Sequence, residues 1–165
     1  MNGYKDVDKI NWDEYVRRLG TYVKKNQIKH YFELDIDCIV GYDKVKQYRK
    51  TLEDIVGWQS IPVFHLSRGK DEYVRMCEEY DYIAYGGLVN NKAARNREMA
   101  MLPFFIDEAH RHGTRIHGLG FTSTNKLPYV RFDTVDSTSW LSGGKYGIMA
   151  RFDGRRIVQL PKRPD

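Results

Sequence analysis

Cysteine is scarce in this chain: Cys38 and Cys77 are the only two in 165 residues. They stand far apart and without metal-ligand spacing, which argues against a disulfide framework or a zinc cluster and predicts reduced, mostly buried thiols. No run approaches the ~20 apolar residues that a membrane span requires. The opening Met1-Asn2-Gly3-Tyr4-Lys5 lacks the apolar core of a secretory leader. A cytoplasmic protein without membrane contact is therefore expected. Also missing are the glycine signatures that cradle phosphates, H-E-x-x-H spacing and a G-x-S-x-G nucleophile elbow. Neither a resident metal nor a cofactor is expected.

What is present is globular in character. The hydrophobic share of 41%, with 30% charged and 13% aromatic residues, lies in the range of chains that bury a core. No repeat, low-complexity tract or linker interrupts the chain, so residues 1–165 read as a single domain. The net charge of +5 and pI near 9.1 permit a nucleic-acid partner without demanding one. Lys24, Lys25, Lys44, Lys46, Arg49 and Lys50 read as solvated helix faces. Arg151, Arg155, Arg156, Lys162 and Arg163 form a denser cluster.

Helical and strand periods alternate along the chain. Asn11 with Glu14 forms a capping-box start, after which Trp12, Tyr15, Val16, Leu19, Tyr22 and Val23 recur at helical steps. His30 to Asp37 reads as a strand. A second helix carries Val45, Tyr48, Leu52, Ile55 and Val56 on one face and stops at Gly57. A strand is expected at Ile61–His65, a short helix from Asp71 to Tyr80, and a strand at Tyr82–Tyr85. A long helix from about Ala93 to His112 closes at Gly113, and strands follow from Arg115 and from Val130. This alternation predicts an α/β fold with about five parallel strands and outer helices. Residues 146–160, turning at Asp153-Gly154, predict a C-terminal β-hairpin. A complete (β/α)8 barrel takes about 200 residues or more, so the sheet is either open or part of a larger barrel.

Parallel α/β folds place their chemistry at the C-terminal ends of strands. Here those ends carry Asp35 and Asp37, then His65, then Gly86-Gly87, then His117-Gly118, then Asp136-Ser137. Five polar ends together point to one crevice. Each also has a purely structural reading. The two aspartates either cap the next helix or bind backbone, or, as a close pair facing the crevice, do acid/base work or hydrogen-bond the edge of a base. The glycines either form a tight turn or admit a flat ligand to the main chain. The histidines are either packed into the fold or functional, and Asp136 is either an Asx-turn or helix N-cap residue or a catalytic one.

Taken in order, Phe32-Glu33-Leu34-Asp35-Ile36-Asp37, Ile61-Pro62-Val63-Phe64-His65, Tyr82-Ile83-Ala84-Tyr85-Gly86-Gly87-Leu88-Val89, His117-Gly118-Leu119-Gly120 and Val135-Asp136-Ser137-Thr138-Ser139-Trp140 resemble the tRNA-guanine transglycosylase superfamily. The likeness is nearest to its phage and bacterial branch, which is thought to place 7-deazaguanines in DNA. It implies a partial (β/α)8 TIM-type barrel and a queuosine-like exchange in which guanine is replaced by a 7-deazaguanine. Asp136 then takes the place of the nucleophile on the ribosyl C1′, and Asp35 or Asp37 that of the pocket carboxylate. Gly86, Gly87 and Leu88 take the place of the base-reading loop, with His117, Gly118 and Ser137 in the substrate-binding set. His65 stands where the tRNA enzymes usually carry glutamine.

The family's first catalytic aspartate, on an early strand, and the zinc insert of the tRNA enzymes have no counterpart. The resemblance therefore covers the C-terminal half of such an enzyme, from about Trp12 to Trp140, as a fragment, a split-gene subunit or a degenerate copy. The implied partners are nucleic acid (DNA or tRNA), a purine-like base, and a second copy or companion chain completing the barrel. Two other readings of the residues stay open: a barrel hydrolase cutting a glycosidic bond with paired carboxylates, and a non-catalytic nucleic-acid-binding or assembly subunit.

Overall fold

A computed structural model describes residues 9–86, 92–121, 129–136, 149–152, 154 and 157–160. The protein divides into two compact units, Met1–Val63 and Phe64–Asp165.

The first unit is built from helices α1 (Trp12–Lys25), α2 (Asp37–Val40) and α3 (Tyr42–Val56). Local chemistry sets their ends. Asn11 Oδ1 accepts the Glu14 N–H at 3.1 Å. Asp13 and Glu14 in the first turn of α1, with Lys24 and Lys25 in its last, complement the helix dipole. Gly57 stops α3 in the left-handed region, φ 93°, which other residues enter at a cost. Val16, Val23, Tyr31, Tyr48, Leu52 and Val56 form the core. Gly20 lets α1 approach α3 closely, since a Cβ there would lie 2.9 Å from Ile55 Cγ2.

The strand expected over His30 to Asp37 contracts to one parallel bridge, Phe32 to Ile61. The Ile61 N–H donates to Tyr31 O at 2.7 Å and the Glu33 N–H to Ile61 O at 3.1 Å. Beyond Glu33 the backbone leaves the ladder and turns into α2. Asp37 consequently opens a helix and Asp35 lies exposed before it, so neither stands at a strand end. Arg49 is not solvated: it is 4% exposed, with its guanidinium 3.4 Å from the equally buried carboxylate of Glu33. Cys38 is exposed.

Strands β1 (Val63–Phe64), β2 (Tyr82–Tyr85), β3 (Arg115–Gly118) and β4 (Thr134–Val135) form a parallel sheet in sequence order, which belongs to the second unit from Phe64 onward. Helix α4 (Lys70–Glu79) links β1 to β2 and α5 (Lys92–Arg111) links β2 to β3. The fold class is thus α/β, as the alternation predicts. One sheet face, through Ile83, Tyr85 and Ile116, is buried with Tyr73, Met76, Phe105 and Ile106 of the helices. Phe64, Tyr73 and Phe105 meet with ring centroids 4.7–5.4 Å apart. Cys77 is buried there, and loss of hydration pushes its thiol up to about 12.

The hairpin is present as β5 (Met149–Phe152) antiparallel to β6 (Ile157–Leu160), with Gly154 at φ 97° in the turn. Asp153 and most of the basic cluster at 151–163 lie outside the described residues. Among the described residues no helix is long and apolar enough to cross a membrane.

Candidate functional site

Strand alternation divides β2, β3 and β4 between two faces. Ile83, Tyr85 and Ile116 turn toward α4 and α5. Their neighbours Tyr82, Ala84, Arg115 and His117 occupy the opposite face, and the register His117↔Thr134 puts Thr134 beside His117 there. Asp136, two residues past Thr134, follows on the same side.

These side chains form a connected polar row. Thr134 Oγ1 lies 2.6 Å from His117 Nδ1 and is also hydrogen-bonded to the Tyr82 hydroxyl. The other ring nitrogen, Nε2, faces Asp136 Oδ1 at 3.6 Å. A carboxylate only accepts, which favours the tautomer with its proton on Nε2. Thr134 then donates to Nδ1 and Tyr82 donates to Thr134. Asp136 Oδ1 is held by the Gly120 N–H at 2.6 Å. Gly120 can aim that amide because it takes φ 64°.

His117 is 7% exposed whereas the Asp136 side chain is 55% exposed. Burial pushes the His117 imidazole below its ordinary 6.5, and the pull of the Asp136 charge in the other direction is the smaller effect. The ring is therefore neutral at neutral pH, and the nearby carboxylate is not tied up in an ion pair.

The alignment of β4 with β3 rests on Asp133. Its Oδ2 accepts the Ile116 N–H at 2.7 Å and lies 3.0 Å from His110 Nε2, while its own N–H donates to Ile116 O at 3.0 Å.

Both described glycines of the predicted site are explained by packing. Gly86 does not have positive φ, so it is not a left-handed turn residue. A Cβ at Gly86 would fall 2.4 Å from the His65 ring, so the missing side chain makes room for that imidazole. At Gly118 a Cβ would fall 2.7 Å from the Phe132 ring. Each glycine admits a neighbouring ring and not, by itself, a ligand.

The second unit thus brings His65 together with Gly86, and His117 and Gly118 together with Asp136, at the C-terminal ends of adjacent strands. Asp35 and Asp37 belong to the first unit. Gly87, Leu88 and Ser137 lie outside the described residues. Thr134 and Tyr82 were not anticipated. The signal for Thr134 was its place two residues before Asp136, which in a strand means the same face.

Fold and site together define an α/β protein whose polar groups gather where parallel strands end. No protein-family model, curated protein or solved structure matches the chain.

Proposed function

We propose that this chain forms the later strands of a (β/α)8-type barrel and acts in nucleic-acid base exchange, replacing guanine by a 7-deazaguanine. The observation that carries the reading is Asp136. Its carboxylate is anchored through Oδ1 by a backbone amide, stays more than half exposed, and sits beside an imidazole that burial keeps neutral. A protonated histidine at that distance would quench the nucleophile, whereas a neutral one leaves its charge available.

In the proposed reaction a carboxylate oxygen of Asp136 attacks C1′ as the C1′–N9 bond breaks, and the electron pair leaves with the purine. The ring nitrogen of the incoming base then displaces the ester oxygen. The proton that the incoming base gives up balances the one that the departing guanine takes. The target base must be out of its stack for this geometry, so the substrate is a flipped or single-stranded nucleotide. Support for the barrel comes from the polar character of the sheet face opposite the helices: Tyr82, His117 and Thr134 lie there, on the side a barrel would enclose. A second copy or companion chain supplies the remaining strands, and the reaction takes place in the cytoplasm.

The test is Asp136→Asn in the assembled enzyme, followed with labelled guanine and by denaturing gels for a covalent adduct. Exchange and adduct should both vanish. Melting should change by a few tenths of a kcal/mol at most if the carboxylate is otherwise only a cap, since the amide oxygen can still accept from Gly120. Full exchange by this variant would refute the assignment. Release of free base without incorporation, by the unaltered protein, would identify a hydrolase instead.

A further inference from the structure

The outward face of α1 takes no part in the proposed base exchange. Tyr15, Arg18, Tyr22 and Lys25 follow one another at three- and four-residue steps, forming a stripe of alternating rings and cations. Tyr15 is 47% and Tyr22 60% exposed, although large aromatic side chains are usually covered. With Arg17 and Thr21 these residues line an open surface depression of about 670 Å³, and its described lining belongs entirely to α1. Asp13 and Glu14 open the same helix, and neither forms an ion pair with the stripe among the described residues. Asp13 is engaged with Lys44, Lys24 Nζ donates to Ile55 O, and Arg17, Arg18 and Lys25 have no acidic partner among the described residues.

We propose that this face of α1 binds a single-stranded nucleic acid, the cations holding phosphates and Tyr15 and Tyr22 stacking on unpaired bases. Two turns of helix separate the rings by about 10.5 Å along the axis, and the same interval separates Arg18 from Lys25. Rings and charges therefore alternate along one line, as a strand with alternating bases and phosphates requires. An acidic protein segment would use the cations but has no need of two exposed rings. A duplex would offer phosphates but keep its base faces stacked. Both features are used only by an unpaired strand. Binding here requires no turnover and does not depend on Asp136.

The experiment is fluorescence anisotropy of the full chain with a labelled oligothymidylate of about 15 nucleotides, near the upper site size of single-strand binders. Arg18→Glu/Lys25→Glu should weaken binding about tenfold or more and flatten the salt dependence, whose slope for three phosphate contacts is about −2. Tyr15→Ala/Tyr22→Ala should weaken it about tenfold or more while leaving that slope unchanged. Lys46→Glu/Lys50→Glu on α3 makes the same change in net charge and should have little effect. Circular dichroism checks that these surface variants remain folded. The proposal is overturned if the unaltered protein does not bind, if the tyrosine variant binds normally, if the α3 control loses as much, or if a duplex competes as well as the single strand. Because binding and not turnover is read, failure of base exchange leaves this result standing, and the reverse is also true.

Discussion

Replacing Arg49 by methionine tests how much of the first unit rests on one buried ion pair. The Glu33 carboxylate is fully covered, accepts the Val63 N–H at 2.8 Å and faces the Arg49 guanidinium at 3.4 Å. Methionine fills most of the vacated volume, so the dominant loss is electrostatic: a carboxylate stays buried without its counter-charge. Removing one member of such a pair costs roughly 3–5 kcal/mol. Domains have about 5–15 kcal/mol in all. At roughly 4–8 °C per kcal/mol for a unit of this size, Arg49→Met should lower its melting temperature by about 12 °C or more. Trp12 and Trp58 report on this unit once Trp140 is changed to phenylalanine, so tryptophan fluorescence in a thermal or urea series is the assay. Adding Glu33→Gln removes the stranded charge and keeps an oxygen for the Val63 N–H. The double variant should recover most of the loss. If Arg49→Met melts within about 3 °C of the parent, or the double variant is no better than the single, the pair is not what holds the unit together.

Two further outcomes are expected. Because folding lowers the His117 pKa below 6.5, the unfolded chain takes up its proton first as pH falls. The contribution of a neutral His117 is thus complete above about pH 6.5 and is lost below it, and His117→Gln should flatten the fall in urea-midpoint stability between pH 7 and pH 5. Gly86→Ala places a methyl group where the His65 ring now sits, 2.4 Å from Nδ1 and Cε1 and 3.0 Å from Phe64 O. It should cost about 1–3 kcal/mol and shift the His65 imidazole resonances in NMR spectra. Unchanged His65 resonances would show that the ring does not depend on this gap.

The helices were legible because their boundaries are local: Asn11 with Glu14 starts α1, and Gly57 and Gly113 end α3 and α5 within a turn. The parallel order followed from alternation. The length of the strand before α2 did not, because a ladder depends on a partner distant in sequence, and here one bridge forms before the chain coils. Arg49 was misread by type although its position was informative: it lies four residues after Val45 and three before Leu52, on the apolar stripe of α3. Glu33 alternates with buried Tyr31 and carried a similar hint. Gly86 looked like a turn residue because local rules recognise glycine by φ, and no spacing rule shows that a ring from the preceding strand end fills its missing side chain. The link from His117 through Thr134 to Tyr82 needs the cross-strand register, which only the folded sheet supplies.

That register has an evolutionary consequence. A strand of two residues such as β4 has little pairing energy with which to choose its alignment, and a slip of one position would turn Thr134 and Asp136 to the opposite face. The carboxylate of Asp133 ties Ile116 and His110 to one alignment. If Asp136 is the nucleophile proposed above, selection for it also acts on Asp133, which would touch no reactant. Drift at position 133 would then misplace sound parts, so that the arrangement around Asp136 is lost while every residue of the polar row is kept.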